Sequence, residues 1–289
     1  MTTQLSHSAS PKLSTRQNNL STRQVVDKKL CRAYPSESAV TNEGQVDKPL
    51  GWGRASRQVV DIFRCPLDNF ERLAERAKTR NRQTQTALED LPFQLLEKRE
   101  EWWLAKLADG TFGWLPSRQI KRVKDSNYWD KIKLAPKNKT TPLPSPTPTK
   151  IRRALDEFKD VPYLWGGATK RGMDCSAFVQ KVFLKLFGIL LPRNSREQKK
   201  CGEFVYLKSI CPLDILFFVH LPVGRQACLP NKQAQKKGRH HVGVYFDKVV
   251  WHFCLDKKGL SMEPLEALKK RYRYLTARRI INFNHVKEN

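Results

Sequence analysis

The sequence predicts an α+β protein of two unequal units, a β-rich one followed by a larger one in which helices precede neighbouring strands. Three observations lead there. The stretch "PKNKTTPLPSPTPTK" carries five prolines in fifteen residues (Pro136, Pro142, Pro144, Pro146, Pro148), which neither a helix nor a central strand accommodates. Ahead of it, "EEWWLAKLADGTFGWLPS" reads as two strands joined at Ala108-Asp109-Gly110. Behind it, apolar residues recur first at helical spacing and then in short strand-like runs.

Taken in order, residues 1–50 are polar and turn-rich, with an internal echo (Ser14-Thr15-Arg16-Gln17 and Ser21-Thr22-Arg23-Gln24), and predict a mostly disordered segment. Residues 57–123 predict a β domain: "QVVDIF" and "LPFQLLE" are strands, and the basic "FERLAERAKTRNRQTQ" between them has helical character. Residues 124–149 predict a stiff, extended linker, and 150–285 the second domain. There Ile151, Ala154, Leu155 and Phe158 mark a helix that Pro162 ends. A second helix spans 175–187, with Phe178, Val179, Val182, Phe183, Leu186 and Phe187 on its apolar side and Gly188 where a C-terminal cap belongs. "DILFFV", "HVGVYF" and "VVWHF" are strands.

The chain has 289 residues, 54 of them Lys or Arg against 28 Asp or Glu, for a net charge of +26. Such a charge suits nucleic acid, anionic lipid or wall polymer alike. No zinc-finger spacing, basic leucine-zipper pattern or aromatic platform accompanies it, so nucleic acid is not the expected partner. No apolar run reaches the roughly 18 residues of a membrane span. Seven scattered cysteines without a CxxC pair predict free thiols in a reducing compartment. With no apolar signal stretch in the first residues, the expected location is the cytoplasm. Neither metal nor cofactor is called for, and the oligomeric state is not legible.

One cysteine has unusual company. In "VPYLWGGATKRGMDCSAFVQ", Asp174 is a preferred N-cap residue, which puts Cys175 in the first turn of a helix. Unpaired backbone N–H groups and the helix dipole there favour a thiolate, lowering a thiol from its usual value near ~8.5. A nucleophilic cysteine needs a base. His7 and His285 lie in the tails, which leaves His220, His240, His241 and His252. If Asp247-Lys248 or its neighbour makes a two-residue turn, His241 and His252 share one face of a hairpin, directly or diagonally opposed; a three-residue loop would separate them.

In order along the chain, "PYLWGG" (162–167), "DCSAFV" (174–179), "GILLPRNSREQ" (188–198), "PLDILFF" (212–218), "HVGVYF" (241–246) and His252 resemble the NlpC-type cysteine peptidases of bacteria, which have a reduced papain-like fold. The resemblance implies Cys175 as nucleophile, His241 as general base and His252 as the residue orienting it. It places Tyr163 near the oxyanion site and Trp165, Asp174, Ser176 and Ser195 along the substrate cleft. It also favours His241 over the adjacent His240. The chain departs from the family pattern at Ala177 and Leu213, where glycine is usual, and in a longer, basic segment between Phe218 and His241. Residues 57–123 resemble the bacterial SH3-like module that precedes such peptidases, where an acid reads a free substrate amine; Glu89 or Asp90 is its expected counterpart. The implied reaction is hydrolysis of the γ-D-glutamyl–diamino acid bond of peptidoglycan-derived peptides, in recycling or remodelling. An acyltransferase or amidase would need the same thiol and base. A non-catalytic binder of wall polymer or polyanion would need only the basic surface and the SH3-like module.

Overall fold

The computed structural model describes residues 49–67, 75–124, 128–220 and 240–283. Nearly all of the expected disordered segment, and residues 221–239 of the basic insertion, lie outside that set. In the N-terminal half, short runs of alternating burial form strands wherever turn residues interrupt them. These are β1 (Gly51–Ala55), β2 (Val60–Phe63), β3 (Arg82–Thr86), β4 (Phe93–Arg99), β5 (Trp102–Lys106), β6 (Phe112–Pro116) and β7 (Ile120–Val123), with helix α1 (Glu75–Asn81) ahead of β3. They make one antiparallel sheet in the order β3-β2-β6-β5-β4-β1-β7. The expected Asp-Gly hairpin joins β5 to β6: Gly110 takes a φ of 82°, and the Asp109 side chain accepts from the Thr111 N–H. One side chain layer buries Ile62, Phe93, Leu95 and Leu115 together, another Phe63, Trp102, Leu104 and Trp114. The sheet includes β1, six residues ahead of the expected boundary at 57, and the stretch expected to be helical is divided between α1 and β3.

The proline-rich segment is not a free spacer. Its short strands β8 (Lys133–Leu134) and β9 (Thr141–Leu143) pair in parallel with β12 (Ile189–Leu190) and β19 (Ile281–Phe283), both in the second half. Proline excludes central strands, but these are two-stranded edge pairings in which its missing N–H costs nothing. Next, Thr147 caps helix α2 (Pro148–Asp156) through the Lys150 N–H, with Pro148 at the first helical position.

The remaining elements are β10 (Ala168–Thr169), β11 (Gly172–Met173), α3 (Cys175–Phe187), α4 (Ser195–Gln198), β13 (Glu203–Val205), β14 (Ile215–His220), β15 (His240–Phe246), β16 (Val249–Cys254), β17 (Gly259–Glu263), α5 (Leu265–Lys269) and β18 (Tyr272–Arg279). Six of these strands form a sheet in the order β13-β18-β14-β15-β16-β17. Helix α3 packs on β15 and β16, and Phe178, Val182 and Phe183 are buried with Phe217, Trp251 and Phe253. Burying each such side chain contributes about 1.5–3 kcal/mol. Leu213 keeps the left-handed backbone (φ 71°) that glycine adopts most easily, so the departure at this position changes the residue and not the turn. The expectation that all seven thiols are free is corrected at Cys65, which is disulfide-bonded; Cys175, Cys201, Cys211 and Cys254 are free.

One buried ion pair ties the two halves to the start of α3. Asp174 accepts from Arg193 at 2.7 and 2.9 Å, from the Ser176 hydroxyl at 3.0 Å, and from the Gly166 and Ala177 N–H groups at 3.1 and 2.9 Å. Arg193 also donates to the Gly167 carbonyl and, across to β3, to the Thr84 hydroxyl. Beside it, Gln85 of β3 accepts from the Ala168 N–H, Gln180 donates to Asp109, and Lys181 pairs with Asp90. Arg193→Met is expected to leave the Asp174 carboxylate buried without its cation and to lower unfolding free energy by about 3–5 kcal/mol. Urea denaturation checks this value, and an unchanged midpoint would refute the role given to the pair.

Candidate active site

Three elements converge on Cys175. The Asp174 cap starts α3 at the cysteine, so the sulfur faces the Ser176 N–H and, from β15, the N–H of Val242. Strands β15 and β16 are joined by a two-residue turn in which Asp247 and Lys248 both have positive φ (53° and 63°), the geometry that matches strand twist in a tight hairpin. With Phe246 opposite Val249, the register sets His252 diagonal to His241, as the two-residue turn requires. Their rings meet edge to face, and His241 Nε2 lies 2.8 Å from His252 Nδ1. The residue facing His252, Gly243, has no room for a side chain: a Cβ there would come within 2.6 Å of Val250 and 3.0 Å of His252.

Cys175 and His241 share a pocket of about 70 Å³ with Tyr163, Trp165, His220, His240, Phe253, Leu255, Asp256 and Tyr272. Tyr272 stacks on the His241 ring (4.7 Å between centroids, 16° between planes), and its hydroxyl lies 3.8 Å from the Cys254 sulfur. Behind His252, Nε2 lies 3.2 Å from Glu263 Oε1, and Glu263 is gripped by Arg271 at 2.7 and 2.8 Å and by the Ser261 hydroxyl at 3.1 Å.

The electrostatics depart from the expected thiolate. Burial, reinforced by the Asp174 carboxylate, pushes the Cys175 thiol up to about 12, against the Val242 and Ser176 N–H groups and Arg193. Burial, with His252 and His220 nearby, pushes His241 well below its ordinary value. Burial likewise takes His252 down to about 4 despite Glu263. The helix start lowers a thiol only while water or a cation helps hold the charge, and here the sulfur is buried. Burial thus favours the neutral forms of both the thiol and the imidazole.

The sequence-predicted residues fall into three groups. Tyr163 and Trp165 line the pocket, Trp165 with 44% of its surface exposed. Asp174 and Ser176 are buried beneath it in the Arg193 network, and Ser195 opens α4 outside the pocket lining. Glu89 and Asp90 line a different cavity, with Ala168, Thr169 and Lys181, and no N-terminal side chain lines the Cys175 pocket among the described residues. The acid that does line it is Asp256. Sequence reasoning missed Asp256, Tyr272, Glu263 and Arg271. One signal was available: His241, His252 and Glu263 are spaced eleven residues apart, which two successive hairpins turn into a row of diagonal neighbours.

The model of the NlpC/P60 family matches residues 160–279. This segment is an NlpC/P60 domain. It has the papain-like fold of that family, with mixed helix and strand and mostly strands. The chain is similar to the murein DD-endopeptidase MepS/murein LD-carboxypeptidase of Escherichia coli K12, at 31% identity over 133 residues, 45% of this chain and 63% of that protein. It is similar to the gamma-DL-glutamyl hydrolase of Bacillus subtilis (30% over 127 residues, 44% and 27%) and to the gamma-D-glutamyl-L-lysine dipeptidyl-peptidase of the same organism (36% over 88 residues, 30% and 25%). The chain thus spans less than two thirds of the length of these relatives. No described helix is long and apolar enough to cross a membrane.

The NlpC/P60 domain should be sensitive to acid through its buried rings. His252 is neutral in the folded state down to about pH 4, whereas in the unfolded chain it takes up a proton below about 6.5. The unfolded state binds the extra proton in that window, so stability is fully present above it and lost as pH falls through it, by on the order of 3 kcal/mol from this ring. Urea denaturation between pH 7 and 4 is expected to show that loss, and His252→Gln to flatten it.

Proposed function

We propose that this protein is a cysteine endopeptidase that hydrolyses the γ-D-glutamyl–diamino acid bond of peptidoglycan-derived peptides. The observation that carries the reading is the pocket that a helix-start cysteine shares with His241, whose ring is held from behind by His252. The names of the relatives, which describe murein and γ-glutamyl hydrolases, supply the substrate class.

In this mechanism His241 takes the Cys175 proton as the sulfur attacks the amide carbonyl. Because burial favours the neutral forms, transfer accompanies attack, with the imidazolium formed against His252. The backbone N–H groups at the start of α3, with Tyr163 at the pocket wall, receive the developing oxyanion. The protonated His241 then gives its proton to the departing amine, and water, deprotonated by the same ring, hydrolyses the thioester. The N-terminal sheet serves as an SH3-like module that braces the Gly166-Gly167 turn through Thr84 and Gln85. Amine recognition passes from Glu89 and Asp90, which line the other cavity, to Asp256 in the Cys175 pocket.

The deciding experiment gives L-Ala-γ-D-Glu-meso-diaminopimelate, with free or acetylated N-terminus, to wild type and Cys175→Ala, with products read by mass spectrometry. Wild type is expected to release L-Ala-D-Glu from the free-amine peptide and Cys175→Ala none. Equal cleavage of both peptides would mark a wall remodeller, and cleavage of neither would remove the assigned substrate. Asp256→Asn is expected to raise KM for the free-amine peptide about ten-fold, the scale of one charge-assisted hydrogen bond, with kcat little changed. An unaltered KM would return amine recognition to another group.

A further inference from the structure

The contacts behind the base do not end at His252. Glu263 sits on β17, diagonal to His252 across the β16–β17 pairing, just as His252 is diagonal to His241 across β15–β16. Its carboxylate is held from two other sides, by Arg271 at 2.7 and 2.8 Å and by the Ser261 hydroxyl at 3.1 Å. Burial opposes the charge on Glu263, and the Arg271 and His252 contacts outweigh it, holding the carboxyl below its ordinary value. An ionised carboxylate can only accept. That single fact orders every proton in the row. His252 must carry its proton on Nε2 to donate to Glu263 (3.2 Å), which leaves Nδ1 as a lone pair. His241 must then carry its proton on Nε2 to donate into that lone pair (2.8 Å), which leaves its own Nδ1 unprotonated.

We propose that Glu263, pinned by Arg271, is a positioning residue that sets the tautomers of both imidazoles and so presents His241 Nδ1 as the base. The proposal rests on the reading of His241 as the general base. Without the carboxylate, water can donate to His252 Nε2; His252 then donates from Nδ1 to His241 Nε2, and the His241 proton moves to Nδ1, where it cannot accept the thiol proton. No other described carboxylate contacts the pair, and Arg271 extends the support by lying 5.6 Å over the ring of Tyr272, which stacks on His241.

Two arms of the test, the spectra and the alkylation, need no knowledge of the substrate. Long-range proton–nitrogen correlation spectra of histidine-labelled protein report the tautomer of each ring, and site-resolved iodoacetamide alkylation reports proton removal from Cys175. Wild type is expected to show both rings protonated on Nε2. Glu263→Ala is expected to populate the Nδ1-protonated form of His241 and to slow both peptide turnover and Cys175 alkylation by roughly 10²-fold or more, with KM unchanged, the scale on which a misplaced proton disables a catalytic imidazole. Glu263→Gln, whose amide oxygen still accepts, should fall between the two. Unchanged tautomers in Glu263→Ala, or altered tautomers with unchanged alkylation, would overturn the proposal. If wild type cleaves no peptide at all, the substrate assignment fails, while the spectra and the alkylation rates still decide the role of Glu263.

Discussion

Five polar contacts converge on the Asp174 carboxylate, and the rest of the site hangs from them. The same two oxygens cap α3, hold the N–H of Gly166 and receive the Arg193 guanidinium, which reaches on to Gly167 and to Thr84 of the N-terminal sheet. Cys175 is placed by the residue before it, the glycine turn is drawn against the helix start, and the two halves of the chain meet at the same point. A buried pair of this kind adds little net stability over well-packed apolar side chains. Its value is geometric, because an unsatisfied carboxylate in that position would exclude any other arrangement. Asp174 also presses the other way on the chemistry, since its negative charge joins burial in keeping the neighbouring thiol protonated.

The reacting groups therefore sit at a buried centre. Cys175, His241 and His252 are all buried, and charge is held one layer out, in Asp174–Arg193 on one side and Glu263–Arg271 on the other. Both ion pairs sit where they orient a reacting group without neutralising it. An imidazolium forming on His241 would find the Glu263 carboxylate on the far side of the His252 ring, and no carboxylate hydrogen-bonded to it directly among the described residues.

The parts legible in the sequence were those with local causes. The N-cap aspartate, the Gly188 cap (φ 65°), the Asp-Gly hairpin and the two-residue turn at Asp247-Lys248 each act within a few residues, and each is present. A two-residue turn put His241 and His252 on one face, directly or diagonally opposed, and the observed turn at Asp247-Lys248 makes them diagonal. What escaped reading was set by distant pairing. Strand β18 is so rich in Arg and Tyr that it reads as a basic surface cluster, yet it lies between β13 and β14 with Tyr272 and Ala277 buried, Arg279 on the Asp214 carboxylate and Arg278 on the Gly202 carbonyl. Arg193 stands in a quoted motif, but nothing local tells which acid it will meet. The acids Glu89 and Asp90 sit in a loop whose direction depends on how the N-terminal sheet docks, and it docks with that loop over a different cavity.

The proline-rich segment carries a consequence for how the chain is made. Its strand β9 has no partner until β19, nearly 140 residues later, and β8 waits for β12. Such parallel pairings close long loops and form late. As the polypeptide leaves the ribosome, the N-terminal sheet can complete itself from its own strands, but β9 must remain unpaired until the sequence through Phe283 has emerged. Biosynthesis thus fastens β9 only after the residues of the reactive pocket have emerged, and a chain interrupted before β19 would leave an open strand edge.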